Sequence, residues 1–377
     1  MTTCSNHARG SGFRMPPILW SVLLGALVPS LSGAAPERLS AEDILARFAE
    51  NQAKIRSFSI TTESVGRGDS SWHKVKADLP SYASETLRSD GDRYSRREKA
   101  WGTLIGGEEF QREDPLYRSM LWDGEHNYQY DVGKIGVVVV NHPQNDAERE
   151  VLSQRGRSRT AAASFLGYLG RDSDRIDKVF QQARSISVAP ETERVGDSNC
   201  YVVEAETDSG MYKVWFDPDH GYNIAKAVIE RKAGDMDGSR RMLQGDMTGK
   251  YTHEFVRFEK YGDAWVPVEE NATLYQTWSG NLFARSTSHS EIVDFQLDPD
   301  HEALGSFLPD DIQDGSHVHL LWAPGVRYRW KDGGYQGQVD ESALKSIVDE
   351  ITQIKADADT DAVLPDGGPE GHPSRRN

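Results

Sequence analysis

Cysteine is nearly absent: Cys4 and Cys200 are the only two among 377 residues. A chain with so few thiols is not a disulfide-stapled scaffold, and its length must supply stability through a core. Long apolar runs are missing as well. The stretch Ile18–Val28 is apolar-dominated but too short to span a hydrocarbon layer of about 30 Å comfortably. Basic excess is lacking, since 43 Lys+Arg stand against 59 Asp+Glu for a net charge of −16. That balance argues against non-specific nucleic-acid binding, which relies on cations neutralising phosphates. The sequence holds no G-x-S-x-G elbow, H-E-x-x-H, P-loop or G-x-G-x-x-G. Gly102 to Gly107 is glycine-rich without the dinucleotide spacing.

The first 34 residues have the secretory pattern. Arg9 and Arg14 precede the apolar run, and Pro29 and the small residues Ser32, Gly33 and Ala34 follow it. Cleavage after Ala34 is favoured over Ala35, because Pro36 would follow the second site; an uncleaved anchor is the alternative. Cys4 would leave with the signal, so the mature chain has one thiol and no intramolecular disulfide. Cys200 opens an apolar run and reads as a packing residue rather than a nucleophile. The expected location is periplasmic or secreted, with no membrane span after cleavage.

The mature chain opens on a helix. Ser40 can cap it with Asp43 as the reciprocal partner. Ile44, Leu45, Phe48, Gln52 and Ile55 recur at helical spacing, leaving Glu42, Arg47, Glu50 and Lys54 for solvent. After Arg56 the period becomes two. Phe58, Ile60 and Thr62 alternate with polar neighbours, as do His126, Tyr128, Tyr130 and Val132. Tyr201, Val203 and Ala205 face Tyr212, Val214 and Phe216 across a hairpin at Asp208-Ser209-Gly210. Val293, Phe295 and Leu297 alternate again, then Val326, Tyr328 and Trp330. Asp123-Gly124, Asp217 to Gly221, Tyr261-Gly262-Asp263 and Asp332-Gly333-Gly334 separate these runs as turns. About a dozen strands with short connections imply antiparallel pairing.

The strand pattern breaks at about 159–184. Ala161, Ala162, Phe165, Leu166 and Leu169 form a helical stripe, and Ile176, Val179 and Phe180 a second, capped by Ser173. Two short amphipathic helices amid strands suggest a cover over a sheet. A last helix is expected over Glu341–Lys355, and residues 356–377, rich in Pro and Gly, read as a disordered tail.

Candidate chemistry is sparse. His317 and His319 share a strand face and could hold zinc with a third ligand, but none lies nearby in sequence, and two solvent-facing imidazoles is the better reading. Asp357, Asp359 and Asp361 imitate a calcium loop that Ala362 and Gly368 then break. Glu108-Glu109, Glu269-Glu270 and Asp310-Asp311 are adjacent pairs, and neighbours on a strand point to opposite faces. No catalytic residue, cofactor or metal ligand is therefore assigned. What remains is aromatic: eight tryptophans follow residue 34 (Trp72, Trp101, Trp122, Trp215, Trp265, Trp278, Trp322 and Trp330). On Met211 to Phe216 both faces carry large apolar groups. Core packing explains any one of them; together they could line a site for an apolar ligand.

Three phrases carry a family resemblance. Leu121-Trp122-Asp123-Gly124 followed by Tyr128-Gln129-Tyr130-Asp131 resembles one hairpin of the LolA-like superfamily, periplasmic carriers of lipoproteins and other hydrophobic cargo. Val214-Trp215-Phe216-Asp217-Pro218, with Gly221 and Ile224 to Val228, is similar to another. Ile44 to Phe48 through Ile55 to Phe58 fits the family's first helix and strand. The resemblance covers roughly residues 40–300. It implies an α+β fold: an incompletely closed antiparallel half-barrel with a helical lid, over residues 35–300. The extension at 301–355, with its own hairpin and helix, departs from a simple carrier.

The function expected on that resemblance is non-enzymatic carriage of a lipid, a lipoprotein or another hydrophobic ligand. Burial of each methylene would contribute about 0.8 kcal/mol. Tyr128, Tyr130, Tyr201, Val203, Tyr212, Val214 and Phe216 are the expected cavity lining, and Phe165, Leu166, Val179 and Phe180 the lid. The partners implied are a hydrophobic ligand or acylated protein, and an envelope protein. Two alternatives stand beside it. One is a cavity-free interaction or sensor module of the envelope; the other is a hydrolase using carboxylates from separate strands.

Overall fold

The computed structural model describes residues 39–71, 80–102, 115–132, 136–155, 158, 160–236, 242–279, 282–323 and 326–338. The secretory segment expected at 1–34, the helix expected at 341–355 and the disordered tail expected at 356–377 lie outside the described residues.

Helix α1 (Ala41–Ala53) starts where the sequence places it. The Asp43 N–H donates to Ser40 Oγ at 3.1 Å, and the Ser40 N–H donates to the Asp43 carboxylate at 3.1 Å. This reciprocal cap satisfies two amides that the first turn would otherwise leave open. Ile44, Leu45, Phe48, Asn51 and Gln52 form its buried face. The last two fasten the helix by hydrogen bonds. Asn51 Nδ2 donates to the Trp265 carbonyl at 2.8 Å and the Trp265 N–H returns a bond to Asn51 Oδ1 at 3.0 Å. Gln52 Nε2 donates to Asn223 Oδ1 at 3.0 Å.

Six strands follow: β1 (Phe58–Ser70), β2 (Pro80–Ser89), β3 (Tyr94–Trp101), β4 (Leu116–Trp122), β5 (Asn127–Val132) and β6 (Gly136–Asn141), each antiparallel to the one before. Three helices interrupt: α2 (Asp146–Arg155), α3 (Ala161–Phe165) and α4 (Ile176–Gln181). Then come β7 (Ser185–Val188), β8 (Glu193–Val195), β9 (Ser198–Thr207), β10 (Gly210–Asp217), β11 (Asn223–Lys232), β12 (Thr248–Tyr261), β13 (Ala264–Trp278) and β14 (Leu282–Leu297). The chain finishes with β15 (His317–Leu320), β16 (Arg327–Lys331) and β17 (Gly334–Gln338).

The two meanders join where β14 pairs with β1, from Phe58 opposite Leu297 to Ser70 opposite Ala284. β15 lies parallel to β6 and carries β16 and β17 outward. The hydrogen-bonded order is therefore β17-β16-β15-β6-β5-β4-β3-β2-β1-β14-β13-β12-β11-β10-β9, with β7 and β8 end to end on the outer edge of β9. β15 beside β6 is the one parallel pair among the described residues. The turn between β9 and β10 uses Asp208 and Ser209, and Gly210 takes φ +118°, where a Cβ would fall 2.3 Å from the Glu230 carbonyl oxygen.

The α+β half-barrel with a helical lid is overturned. The protein is mostly β: an open sheet of seventeen strands among the described residues, with few helices. The segment 159–184 supplies helices of only five and six residues. Phe165, Leu166 and Phe180 sink into the same buried cluster as Val203, Tyr212, Val214 and Phe216, and Val179 packs against it. Helices this short have one apolar stripe and no span to bridge a mouth; their side chains become part of the core instead of a lid above it.

A second departure lies in β14. The expected alternation of Val293, Phe295 and Leu297 puts all three on one face, yet Val293 is half exposed while Ile292 and Phe295 are buried. The ladder to β1 shifts between Thr61 and Thr62, and this bulge flips the parity of β14.

Candidate functional site

The strands on either side of the β1–β14 seam change chemistry along their length on the inner face. In β1, Phe58 and Ile60 give way to Thr62 and Ser64; in β2, Leu87 gives way to Glu85 and Ala83. In β14, Phe295 and Ile292 give way to Ser290 and Ser288. In β13, Val266 and Val268 give way to Glu270 and Ala272; in β12, Phe255 gives way to His253. The apolar half is filled by α1, α3 and α4. The polar half is left open as a cleft of about 810 Å³. Small side chains create the room: Ser64, Ala83, Ala272, Ser288 and Ser290 leave a trough that large residues would close. Tyr168, Tyr251, Leu243 and Met247 supply apolar surface to its walls.

Three networks hold the walls. In the first, Glu270 accepts from Ser164 Oγ at 2.5 Å and from His253 Nδ1 at 2.6 Å. The Gly170 N–H lies 3.4 Å from His253 Nε2, which must accept, so the imidazole carries its proton on Nδ1. In the second, Glu85 accepts from Arg96 Nε at 2.7 Å and from the Ala162 N–H at 3.3 Å, while Arg96 Nη2 donates to Glu98 at 2.9 Å. Burial pushes the Glu85 carboxyl above the usual range, and Arg96 pulls against it. In the third, Asp172 accepts from Arg231 Nη2 at 2.6 Å and from the Tyr212 hydroxyl at 2.7 Å. Arg231 also lies over the Tyr251 ring at 5.2 Å. Burial raises the Asp172 carboxyl to about 6.

This arrangement does not build an activated serine. The carboxylate stands between Ser164 and His253, and both imidazole nitrogens are committed elsewhere, so no base faces the hydroxyl. Adjacent carboxylates behave as strand geometry requires: Glu270 points inward to His253, while Glu269 meets Arg257 at 3.3 Å in a half-exposed cluster.

The residues expected to line an apolar cavity fall in two places. Val203, Tyr212, Val214 and Phe216 are fully buried in the main core, and Tyr201 lies at its edge, stacked on Tyr222 with ring centroids 6.1 Å apart. Tyr128 and Tyr130 belong to a separate cluster around β5, β6, β15 and β16, with Val138, Val140, Val318 and Trp330. Of these seven, Tyr212 alone reaches toward the cleft, through its hydroxyl on Asp172. Glu85, Arg96, Ser164, Asp172, Arg231 and His253 were not singled out by sequence. The available signal was an acid or base at an inward position of an alternating strand, such as Glu85 two residues from Leu87.

No family model matches this chain, and no curated protein matches it. Among solved structures, it is similar to a DUF1329 family protein from Desulfovibrio piger, at 13% identity and TM-score 0.39, over 72% of this chain and 98% of that one. It is similar to the Pseudomonas aeruginosa MucA/MucB complex structure at 10% identity and TM-score 0.22, over 68% of this chain and 98% of that one. A structure of MucB in complex with MucA(peri) gives 9% identity and TM-score 0.22, over 69% and 99%.

Proposed function

We propose that this chain is a non-enzymatic binding protein of the cell envelope, exported by its N-terminal segment, whose cleft takes an amphiphile such as a lipid or a lipid-modified peptide. One observation carries the reading: an open cleft of about 810 Å³ stands beside an apolar core that is already full. That volume lies within the range of small-molecule sites, roughly 300–1,000 Å³. The polar network of Glu85, Arg96 and Glu98 suits a hydrogen-bonding head. The walls of Tyr251, Leu243, Met247 and Ala272 suit an apolar segment. The hairpin phrases that resemble LolA-like carriers support the same class of cargo, and the secretory pattern supports a periplasmic or secreted location. No helix among the described residues is long and apolar enough to cross a membrane.

Native mass spectrometry of the protein taken from its own envelope, with solvent extraction of bound material, tests this. A co-purifying amphiphile that is lost in Ala83→Trp or Ser290→Trp, with the fold intact, supports the cleft as its site. Retention in both folded variants, or a protein that takes up no lipid at all, overturns it.

A hydrolase is the second reading, favoured by the raised Glu85 carboxyl in an open cleft. It requires a bell-shaped pH profile on some substrate that Glu85→Gln abolishes. Against it, both Glu85 oxygens already accept from Arg96 and Ala162.

A further inference from the structure

Far from the cleft, the end of the β4–β5 hairpin meets the end of β6. Asn127 pairs with Asn141, so continuing that ladder by one step sets His126 opposite His142. Leu320 lies beside Val140 on the parallel neighbour β15, so two further steps set Trp322 beside His142. The three rings form a triangle: the imidazoles are 5.1 Å apart, and the indole is 6.1 Å from His126 and 6.0 Å from His142. Glu125, next to His126 in the turn, brings a carboxylate, and the ligand atoms of Glu125, His126 and His142 all lie within 4.8 Å of one another. His142 Nδ1 is buried and has no hydrogen-bond partner. A buried nitrogen without a partner is costly unless something else engages it.

We propose that Glu125, His126 and His142 bind a borderline divalent transition-metal ion, with Zn²⁺ the first choice. Two imidazoles and one carboxylate are the donor set that zinc takes in three-residue sites, with a fourth position left to water or a ligand. The donor atoms, within 4.8 Å of one another, would draw in around one ion at bonds of about 2.0–2.2 Å. Asp123 Oδ2 lies 3.9 Å from His126 Nδ1 and supplies the carboxylate against which metal-bound imidazoles are commonly oriented. Trp322 and Tyr128, the latter 6.0 Å from His126, wall the site with aromatic surface. The ion would tie the β4–β5 turn to the end of β6 just beyond their last ladder pair, Asn127–Asn141, in a turn that Arg149 of α2 also holds through the Gly124 carbonyl. Sequence spacing brought up only His317 and His319, which read better as solvent-facing imidazoles, because His126 and His142 are neighbours only across the ladder.

The test is titration of the untagged full chain with ZnCl₂, followed by calorimetry and by the thermal transition. One ion per chain is expected, with affinity falling about tenfold or more in His142→Ala and in the surface-turn variant His126→Gln, while His317→Ala/His319→Ala binds as the parent does. Acidification should release the ion, since imidazole donors must be unprotonated. Ni²⁺ or Cu²⁺ should quench a fluorescence component that Trp322→Phe removes. No uptake by the parent chain, or uptake unchanged in His126→Gln and His142→Ala chains that retain the parent's circular dichroism, overturns the site.

Discussion

His253 and Glu270 share a 2.6 Å bond between Nδ1 and Oε1, on adjacent strands β12 and β13, and this bond is the pin that holds α3 over the sheet. Glu270 also takes the Ser164 hydroxyl, and His253 also faces the Gly170 amide, so one pair reaches both ends of the segment 164–170. Gly170 has φ +57°, and a Cβ there would fall 2.7 Å from Ile229 Cδ1, which is why the backbone approaches this closely only as glycine. His253→Ala is expected to cost about 1–3 kcal/mol, because a buried carboxylate loses a donor. Urea unfolding reads the loss. Amide exchange should show residues 164–170 opening before β12 and β13, and uniform protection in the variant would refute the pin.

The Asp172–Arg231 pair gives a pH dependence with a definite sign. Burial lifts the Asp172 carboxyl from 3.8 to about 6. The folded state therefore favours the protonated acid more than the unfolded state does. Its contribution is fully present below about pH 3.8 and is lost as pH rises through about 6, by roughly 3 kcal/mol across that window. In Asp172→Asn the slope of stability between pH 4 and 6 should flatten. At pH 7 that variant replaces a carboxylate the fold disfavours with a neutral amide that still accepts from Arg231, so it should be at least as stable as the parent. An unchanged slope in Asp172→Asn would show that another group titrates there.

Much of the fold was readable from periodicity, and the failures have specific causes. The α1 stripe and its Ser40 cap, the β9–β10 hairpin and the β10–β11 turn are local, set by residues within a few positions of each other. The cleft is not local. Glu85 and Glu270 are far apart in sequence and enter one cleft only because β1 pairs with both β2 and β14. The helical segment was found but misjudged, because an amphipathic stripe looks the same whether it covers a cavity or fills one. Whether Phe165 meets empty space or Phe255, 6.0 Å away, depends on how far the sheet curls around it. Val293 was misjudged for a smaller reason: a single bulge reverses every side chain beyond it.

Cys200 is fully buried, and burial raises its thiol to about 12. The thiolate is the reactive form, so Cys200 should resist a disulfide reagent in the folded chain and react with it in denaturant. Equal labelling in native buffer and in urea would place Cys200 at the surface, contrary to its packing with Val202, Trp215 and Ala225.

Phe165 separates a filled core from a lid. It is 1% exposed and stands edge-on to Phe255, with Leu166 buried beside it. A lid residue could be made polar with little loss of stability, since its apolar face meets ligand or water. A core residue cannot: Phe165→Ala should cost about 3–5 kcal/mol, and Phe165→Asp/Leu166→Asp should prevent cooperative folding. Ala83→Trp, in the open trough, should lose ligand while leaving the thermal midpoint within a few degrees of the parent. The two variants thus move opposite observables. If the double aspartate chain instead melts like the parent and merely releases lipid, the short helices sit above a cavity, and the packing described for Phe165 and Phe180 is wrong.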